Sequence, residues 1–248
     1  MIMTKLAIIG GTGLDKIPDL EITHREVAHT PFGEPSALLT HGIVGSTEVV
    51  FLPRHGPSHT IPPHRVNYRA NLWALKHIGV DAVIGVAAVG GITGDMGPGQ
   101  IVVPDQIIDY TYGREHTLFE YDLNKVTHID FTNPYCESLR QALIEAGEAV
   151  SAPLTTFGTY GSTQGPRLET AMEIHRMEQD GCDIVGMTGM PEASLARELD
   201  LCYACCAVVA NWAAGKSDDP ISMEAIEKNL KTGMSDVNRL VARLLQHY

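Results

Sequence analysis

Apolar and polar positions along this chain alternate in short blocks, and the blocks predict a run of strands followed by regular strand–helix alternation. The apolar run at 6–9 is too short for a helix and breaks into glycines, so it reads as a buried strand. Residues 21–28, 36–43 and 48–52 read as further strands, separated by turn chemistry at Pro31-Phe-Gly-Glu-Pro35 and Val44-Gly-Ser46. Three hairpin-like strands so early predict a mixed sheet, not a purely parallel one. From 66 to 78 the period changes, with Tyr68, Leu72, Leu75 and Ile78 at helical spacing.

The apolar block 81–88 reads as a strand running into Gly90-Gly91, and 100–103 and 106–110 read as extended segments around Pro104. Residues 111–133 are polar and irregular, the composition of a binding loop. Pro134 opens a helix to about 147, with the proline in its first turn. Strands then fall at 154–163, 183–187 and 201–209, and helices at 168–180 and 191–199. A last helix starts at Ser222 and carries Met223, Ile226, Leu230, Met234, Val237, Leu240, Val241 and Leu244 on one face. The expectation is an α/β fold, a single domain over 1–248 with a central mixed β-sheet flanked by helices.

Composition narrows the function more than the fold. A net charge of −12 argues against a nucleic-acid partner, although it leaves room for a small anion held by local donors. No apolar run reaches the roughly 20 residues that cross a bilayer, and the opening residues make a poor signal peptide, so the expected site of action is the cytoplasm. Cys136, Cys182, Cys202, Cys205 and Cys206 stand in mostly apolar contexts and read as reduced, buried thiols.

Several stretches have the makeup of ligand loops. Gly10-Gly11-Thr12-Gly13 follows the first strand, and its backbone N–H groups and hydroxyl suit an anion. A dinucleotide fingerprint would need glycine or alanine where Lys16 stands, and a helix where a strand follows. Arg54-His55 leaves the end of another strand; an arginine forks onto phosphate oxygens, and a neighbouring histidine can donate one more hydrogen bond. His59 and His64 raise the question of a metal, but Pro57, Pro62 and Pro63 break any helix that could align them, so no metal is expected. Glu169 stands near a helix start, where the dipole alone would favour a carboxylate. Thr188 is an anion donor or an N-cap, and Asn211 is a polar amide closing an apolar strand. Cys202-x-x-Cys205 lies inside that strand, which favours burial over redox or zinc chemistry.

Taken in order, Ile-Gly-Gly-Thr-Gly-Leu (9–14), Arg-His-Gly (54–56), Val-Asn-Tyr-Arg-Ala-Asn-Leu-Trp-Ala-Leu-Lys (66–76), Gln-Gly-Pro-Arg-Leu-Glu-Thr (164–170) and Met-Thr-Gly-Met-Pro-Glu-Ala-Ser-Leu-Ala-Arg-Glu (187–198) resemble the trimeric purine nucleoside phosphorylase and methylthioadenosine phosphorylase family. The resemblance spans essentially the whole chain. It implies that inorganic phosphate, a co-substrate, attacks C1′ of a nucleoside, with no other cofactor and no metal. The phosphate positions it implies are Thr12, Arg54, His55, the backbone at Ala87 and Ala88, and Thr188; Met187 matches the residue beneath the ribose. At the base, Asn211 and Ala213 stand where adenine-specific members carry aspartates, and Glu169 matches the glutamate of 6-oxopurine members. The implied catalytic residues are therefore Glu169, Asn211 and His55, with a hypoxanthine or guanine base. Met223 matches a histidine that binds the ribose 5′-hydroxyl in ordinary nucleoside phosphorylases, and a methionine suits a methylthio group. His128 resembles a histidine lent by a neighbouring subunit, which implies a homotrimer. Inosine or guanosine phosphorolysis, adenine-nucleoside phosphorolysis and non-catalytic nucleoside binding are the competing readings.

Overall fold

A computed structural model describes residues 5–11, 17–120 and 125–247. Among them eleven strands form one mixed sheet, as the early hairpins predict. Strand β1 (Leu6–Gly10) is fully buried between β4 (Thr47–Pro53) and β5 (Ala82–Gly91), parallel to both. The hairpin-like pairs lie to one side, where β2 (Glu21–Glu26) pairs antiparallel with β3 (Leu39–Val44), and β3 with β4. On the other side come β10 (Ile184–Gly186), β9 (Thr159–Ser162) and β7 (Gln106–Asp109). Strand β11 (Cys202–Trp212) runs parallel to the whole of β5, while β6 (Ile101–Val102) and β8 (Leu154–Thr155) continue beyond it.

The sheet's apolar faces are covered from both sides. Helices α1 (Tyr68–His77) and α4 (Glu192–Glu198) enclose one core with Leu72, Leu75, Leu195 and Tyr203 in it. Helices α2 (Glu137–Ala149) and α5 (Met223–Leu245) enclose the other with Leu139, Leu143, Val237 and Leu240. Helix α3 (Ala171–Gln179) covers a smaller cluster through Ile174 and Met177.

Several boundaries differ from expectation for local reasons. Helix α2 begins after Cys136, so Pro134 precedes the helix and is not in its first turn. The strand expected at 154–163 is two strands, broken where Gly158 takes a positive φ of 144°. Helix α3 is capped by Thr170, whose side chain and Glu173 exchange bonds with the backbone in a capping box. Glu169 therefore stands outside the helix it was expected to start. The apolar face of α5 divides: Val237, Leu240, Val241 and Leu244 are buried in the core, whereas Ile226, Leu230 and Met234 roof a cavity.

The expected thiol state also needs correction. Cys136 and Cys202 form a disulfide across 66 residues, with Cα atoms 5.1 Å apart; Cys182, Cys205 and Cys206 are free and buried. One partner precedes α2 and the other opens β11, a pairing made by the fold and invisible in spacing.

Candidate active site

A break in sheet pairing makes room for the site. One edge of β5 pairs with β1 from Ala82 to Gly85 and with β10 at Gly90 and Gly91. Between them, Val86 to Val89 has no strand on that edge among the described residues, and these residues line a cavity of about 970 Å³. The cavity gathers Gly11, Arg54, His55, Ala87, Ala88, Glu169, Met187, Thr188, Asn211 and Ala213 from segments far apart in sequence. Thr12 lies outside the described residues.

At one end stands Arg54, almost fully buried after the last residue of β4. Its guanidinium fork faces Glu192, with Nε donating to Oε2 at 2.7 Å and Nη2 to Oε1 at 2.7 Å. Nη1 donates to the Val86 carbonyl at 2.8 Å and Nη2 to that of Ile9 at 3.3 Å. Burial works against the guanidinium charge, but the charge and hydrogen bonds of Glu192 more than offset it and hold the pKa above the ordinary arginine range. The sequence-based expectation of a fork aimed at an anion is thus corrected: the fork belongs to a carboxylate of the protein. Tyr203 donates to the same carboxylate at 2.9 Å.

His55 is held differently. Its Nδ1 lies 2.8 Å from the Ile61 carbonyl, and burial together with the nearby Arg54 charge lowers its pKa to about 4. A carbonyl only accepts, so the neutral ring carries its proton on Nδ1 and leaves Nε2 as an acceptor. The ring can therefore accept from a protonated oxyanion, where the sequence suggested a donor. Thr188 is buried nearby, and Pro191 is the N-cap of α4, so the capping role considered for Thr188 falls away.

The opposite wall is built from polar groups on irregular backbone. Strand β11 carries an extra residue between Val209 and Asn211, and this bulge re-aims Asn211. Asn229 of α5 donates to the Ala210 carbonyl at the bulge at 2.9 Å. Asn211 gives one Nδ2 hydrogen to the Trp212 carbonyl at 2.7 Å, which fixes the amide orientation and leaves its oxygen and second N–H available. Glu169 receives the Thr163 hydroxyl at 2.7 Å. Met187 packs against Gly165, whose φ is +60° and where an added Cβ would meet the Met187 sulfur at 2.4 Å. Met223 is 66% exposed at the first position of α5 and His128 is exposed; neither lines the cavity of the single chain.

Two supporting residues escaped the sequence reading. Glu192 gives no periodic signal, because its partner lies 138 residues away. Arg114, in the polar segment after β7, is buried and donates to the carbonyls of Thr163, Gln164, Met187 and Met190, tying the walls together. A lone arginine in a polar loop is the only hint the sequence offers of it.

For a metal, His24, Glu26 and His41 bring ligand-type atoms within 4.8 Å of one another, but on β2 and β3 and not at this cavity. The His24 and His41 rings stack at 4.2 Å and 12°, so their in-plane lone pairs run side by side without converging. His41 is already bonded to Glu26 at 2.9 Å. Among the described residues, no helix is long and apolar enough to cross a membrane.

This architecture is that of a known class: the chain belongs to the phosphorylase superfamily, whose family model matches residues 5–246. A probable S-methyl-5'-thioinosine phosphorylase of Pseudomonas syringae pv. tomato is 54% identical over 243 residues, covering 98% of this chain and 99% of that protein. A 6-oxopurine nucleoside phosphorylase of Pyrococcus furiosus is 44% identical, covering 96% and 91%. The solved structure of methylthioadenosine phosphorylase from Schistosoma mansoni in complex with adenine superposes with a TM-score of 0.93 at 35% identity, covering 98% and 91%. The α/β class expected from the alternation of elements is thereby matched at the level of a whole solved fold.

Proposed function

We propose that the protein is a pentosyltransferase that cleaves the N-glycosidic bond of S-methyl-5'-thioinosine with phosphate, releasing hypoxanthine and 5-methylthioribose 1-phosphate for purine salvage. The observation that carries the reading is the joint presence of Glu169 and Asn211 in the cavity that also holds Arg54, His55 and Thr188. A 6-oxopurine bears N1–H and O6, and with a proton at N7 it matches this pair: Glu169 accepts from N1–H, while the free Asn211 N–H donates to O6 and its oxygen accepts from N7–H. Adenine offers an acceptor at N1 and a donor at position 6, which opposes both groups. Mismatches of buried polar atoms discriminate strongly.

In the reaction, a phosphate oxygen bonds to C1′ as the bond to N9 breaks, and the electron pair leaves with the purine. Hydrogen bonding at N7 by Asn211 stabilises that leaving group. Phosphate is held in line by the backbone at Ala87 and Ala88, by Thr188, by Thr12 and by one N–H of Arg54, and its P–O–H donates to Nε2 of His55. Positioning of two reactants and fixed dipoles supplies the rate, with no metal or organic cofactor. Met187 lies against the ribose.

The methylthio group meets an apolar roof from α5, where Ile226, Leu230 and Met234 line the cavity. Met223, at the first position of α5, is assigned to the methylthio end and His128 to a neighbouring subunit of a homotrimer, both on the family resemblance. Tyr112, Val126 and Met172 are large apolar side chains left exposed in the single chain, which a subunit contact would cover. The working compartment is the cytoplasm, and nucleic acids and membranes are not partners. Release of hypoxanthine from S-methyl-5'-thioinosine only when phosphate is added, with a sugar 1-phosphate as co-product, supports the reading. Hydrolysis without phosphate, or binding without turnover, contradicts it.

A further inference from the structure

Glu192 is a carboxylate with no exposed surface, and it lies against the arginine of the proposed phosphate subsite. Of the five N–H groups of the Arg54 guanidinium, two go to Glu192, one to the Val86 carbonyl and one to the Ile9 carbonyl. Among the described residues, one N–H, on Nη1, has no partner and is available to a ligand. The pair is formally neutral, and so is His55. From Arg54, Glu192 and His55 together, an oxyanion entering this subsite meets hydrogen-bonding groups without a net positive charge. Tyr203 fixes the carboxylate from the far side, and Gly85 leaves space for that hydroxyl, since a Cβ there would lie 2.1 Å from it.

We propose that Glu192 is a positioning residue that keeps Arg54 as a single-donor, charge-compensated arm, so that bound phosphate retains its negative charge for the developing ribosyl cation. The inference rests on the phosphorolytic reading of the cavity and adds to it a residue that touches no substrate. A fork free to turn would grip phosphate with two charge-assisted bonds before the reaction. That grip stabilises the ground state more than the transition state, and tight phosphate binding of this kind slows turnover.

The test compares wild type, Glu192→Gln and Tyr203→Phe. Phosphate binding is measured by calorimetry in chloride-free buffer, and kcat and KM are measured for each substrate. In Glu192→Gln the carboxylate charge is gone and one fork contact is lost. Phosphate is expected to bind about tenfold tighter, the worth of one charged hydrogen bond. Its kcat is expected to fall about tenfold or more, with KM for the nucleoside within about twofold of wild type. Phosphate should also raise the unfolding temperature more in the variant than in wild type. Tyr203→Phe, a milder change that keeps the carboxylate, should shift phosphate affinity in the same direction by a smaller factor. A merely structural role for Glu192 predicts weaker phosphate binding or a parallel rise in both KM values, and either result overturns the proposal. Unchanged phosphate affinity in both variants overturns it as well. If wild type itself does not bind phosphate, the phosphorolytic reading fails first and takes this inference with it.

Discussion

Exchanging the base-recognition groups is the most informative perturbation: Asn211→Asp, alone and with Ala213→Asp. In the wild type, Asn211 gives one N–H to the Trp212 carbonyl at 2.7 Å, and the other is assigned to the base under the proposed function. The single substitution puts an acceptor against that carbonyl, which costs about 1–3 kcal/mol as an unsatisfied or repelled buried pair. It also removes the donor to O6, worth about the same again. The first cost falls on the free and the substrate-bound enzyme alike and is read in stability, so the lost donor alone predicts about 1–3 kcal/mol of transition-state stabilisation lost for S-methyl-5'-thioinosine, or roughly 10- to 100-fold in kcat/KM. Ala213 is buried, lines the cavity and is anchored by its N–H to the Gly91 carbonyl at 2.8 Å, so a carboxyl group there projects from fixed backbone.

The double variant offers acceptors to a 6-amino group, so the ratio of kcat/KM for S-methyl-5'-thioinosine over methylthioadenosine should fall about 10²-fold or more. Hypoxanthine and adenine release, followed at limiting substrate, measures the ratio. A ratio within about threefold of wild type, in a variant that still unfolds cooperatively above the assay temperature, refutes the assignment of Asn211 to the base.

Two further predictions concern stability. The folded-state pKa of His55 is about 4 against an ordinary 6.5, so the unfolded chain binds a proton that the fold refuses. Stability from this group is lost as pH falls from about 6.5 toward 4. His55→Gln removes the effect, so urea unfolding of wild type against variant should turn against wild type between about pH 7 and pH 5; a pH-independent difference contradicts it. The Cys136–Cys202 disulfide closes a loop of 66 residues, and loop-closure entropy predicts up to about 4 kcal/mol of stability. The Cys136→Ser/Cys202→Ser variant should unfold at clearly lower urea than oxidised wild type, and equal midpoints contradict the pairing.

Local pattern carried much of the fold. Leu6 to Ile9, the apolar run at 81–88 and the period of α1 each name their own element, because burial on both faces or on one stripe is written in consecutive residues. What depended on distant partners was not legible. Nothing near Arg54 announces that Glu192 will take its fork, and nothing near Cys136 announces Cys202. The face of α5 is apolar throughout, yet its first half roofs a cavity and its second half fills a core, and the period is the same for both. The site residues were legible as chemistry at strand ends. Their convergence required the break in pairing along β5, between Gly85 and Gly90, that no single stretch encodes.

The central claim is a 6-oxopurine, methylthio-sugar phosphorylase, and one comparison tests it most directly. S-methyl-5'-thioinosine, methylthioadenosine and inosine are supplied separately at equal concentration with saturating phosphate, and release of free base is measured. The expected result is fastest release from S-methyl-5'-thioinosine, with none when phosphate is withheld. Faster release from methylthioadenosine contradicts the roles given to Glu169 and Asn211, and faster release from inosine contradicts the apolar 5′ pocket beneath α5.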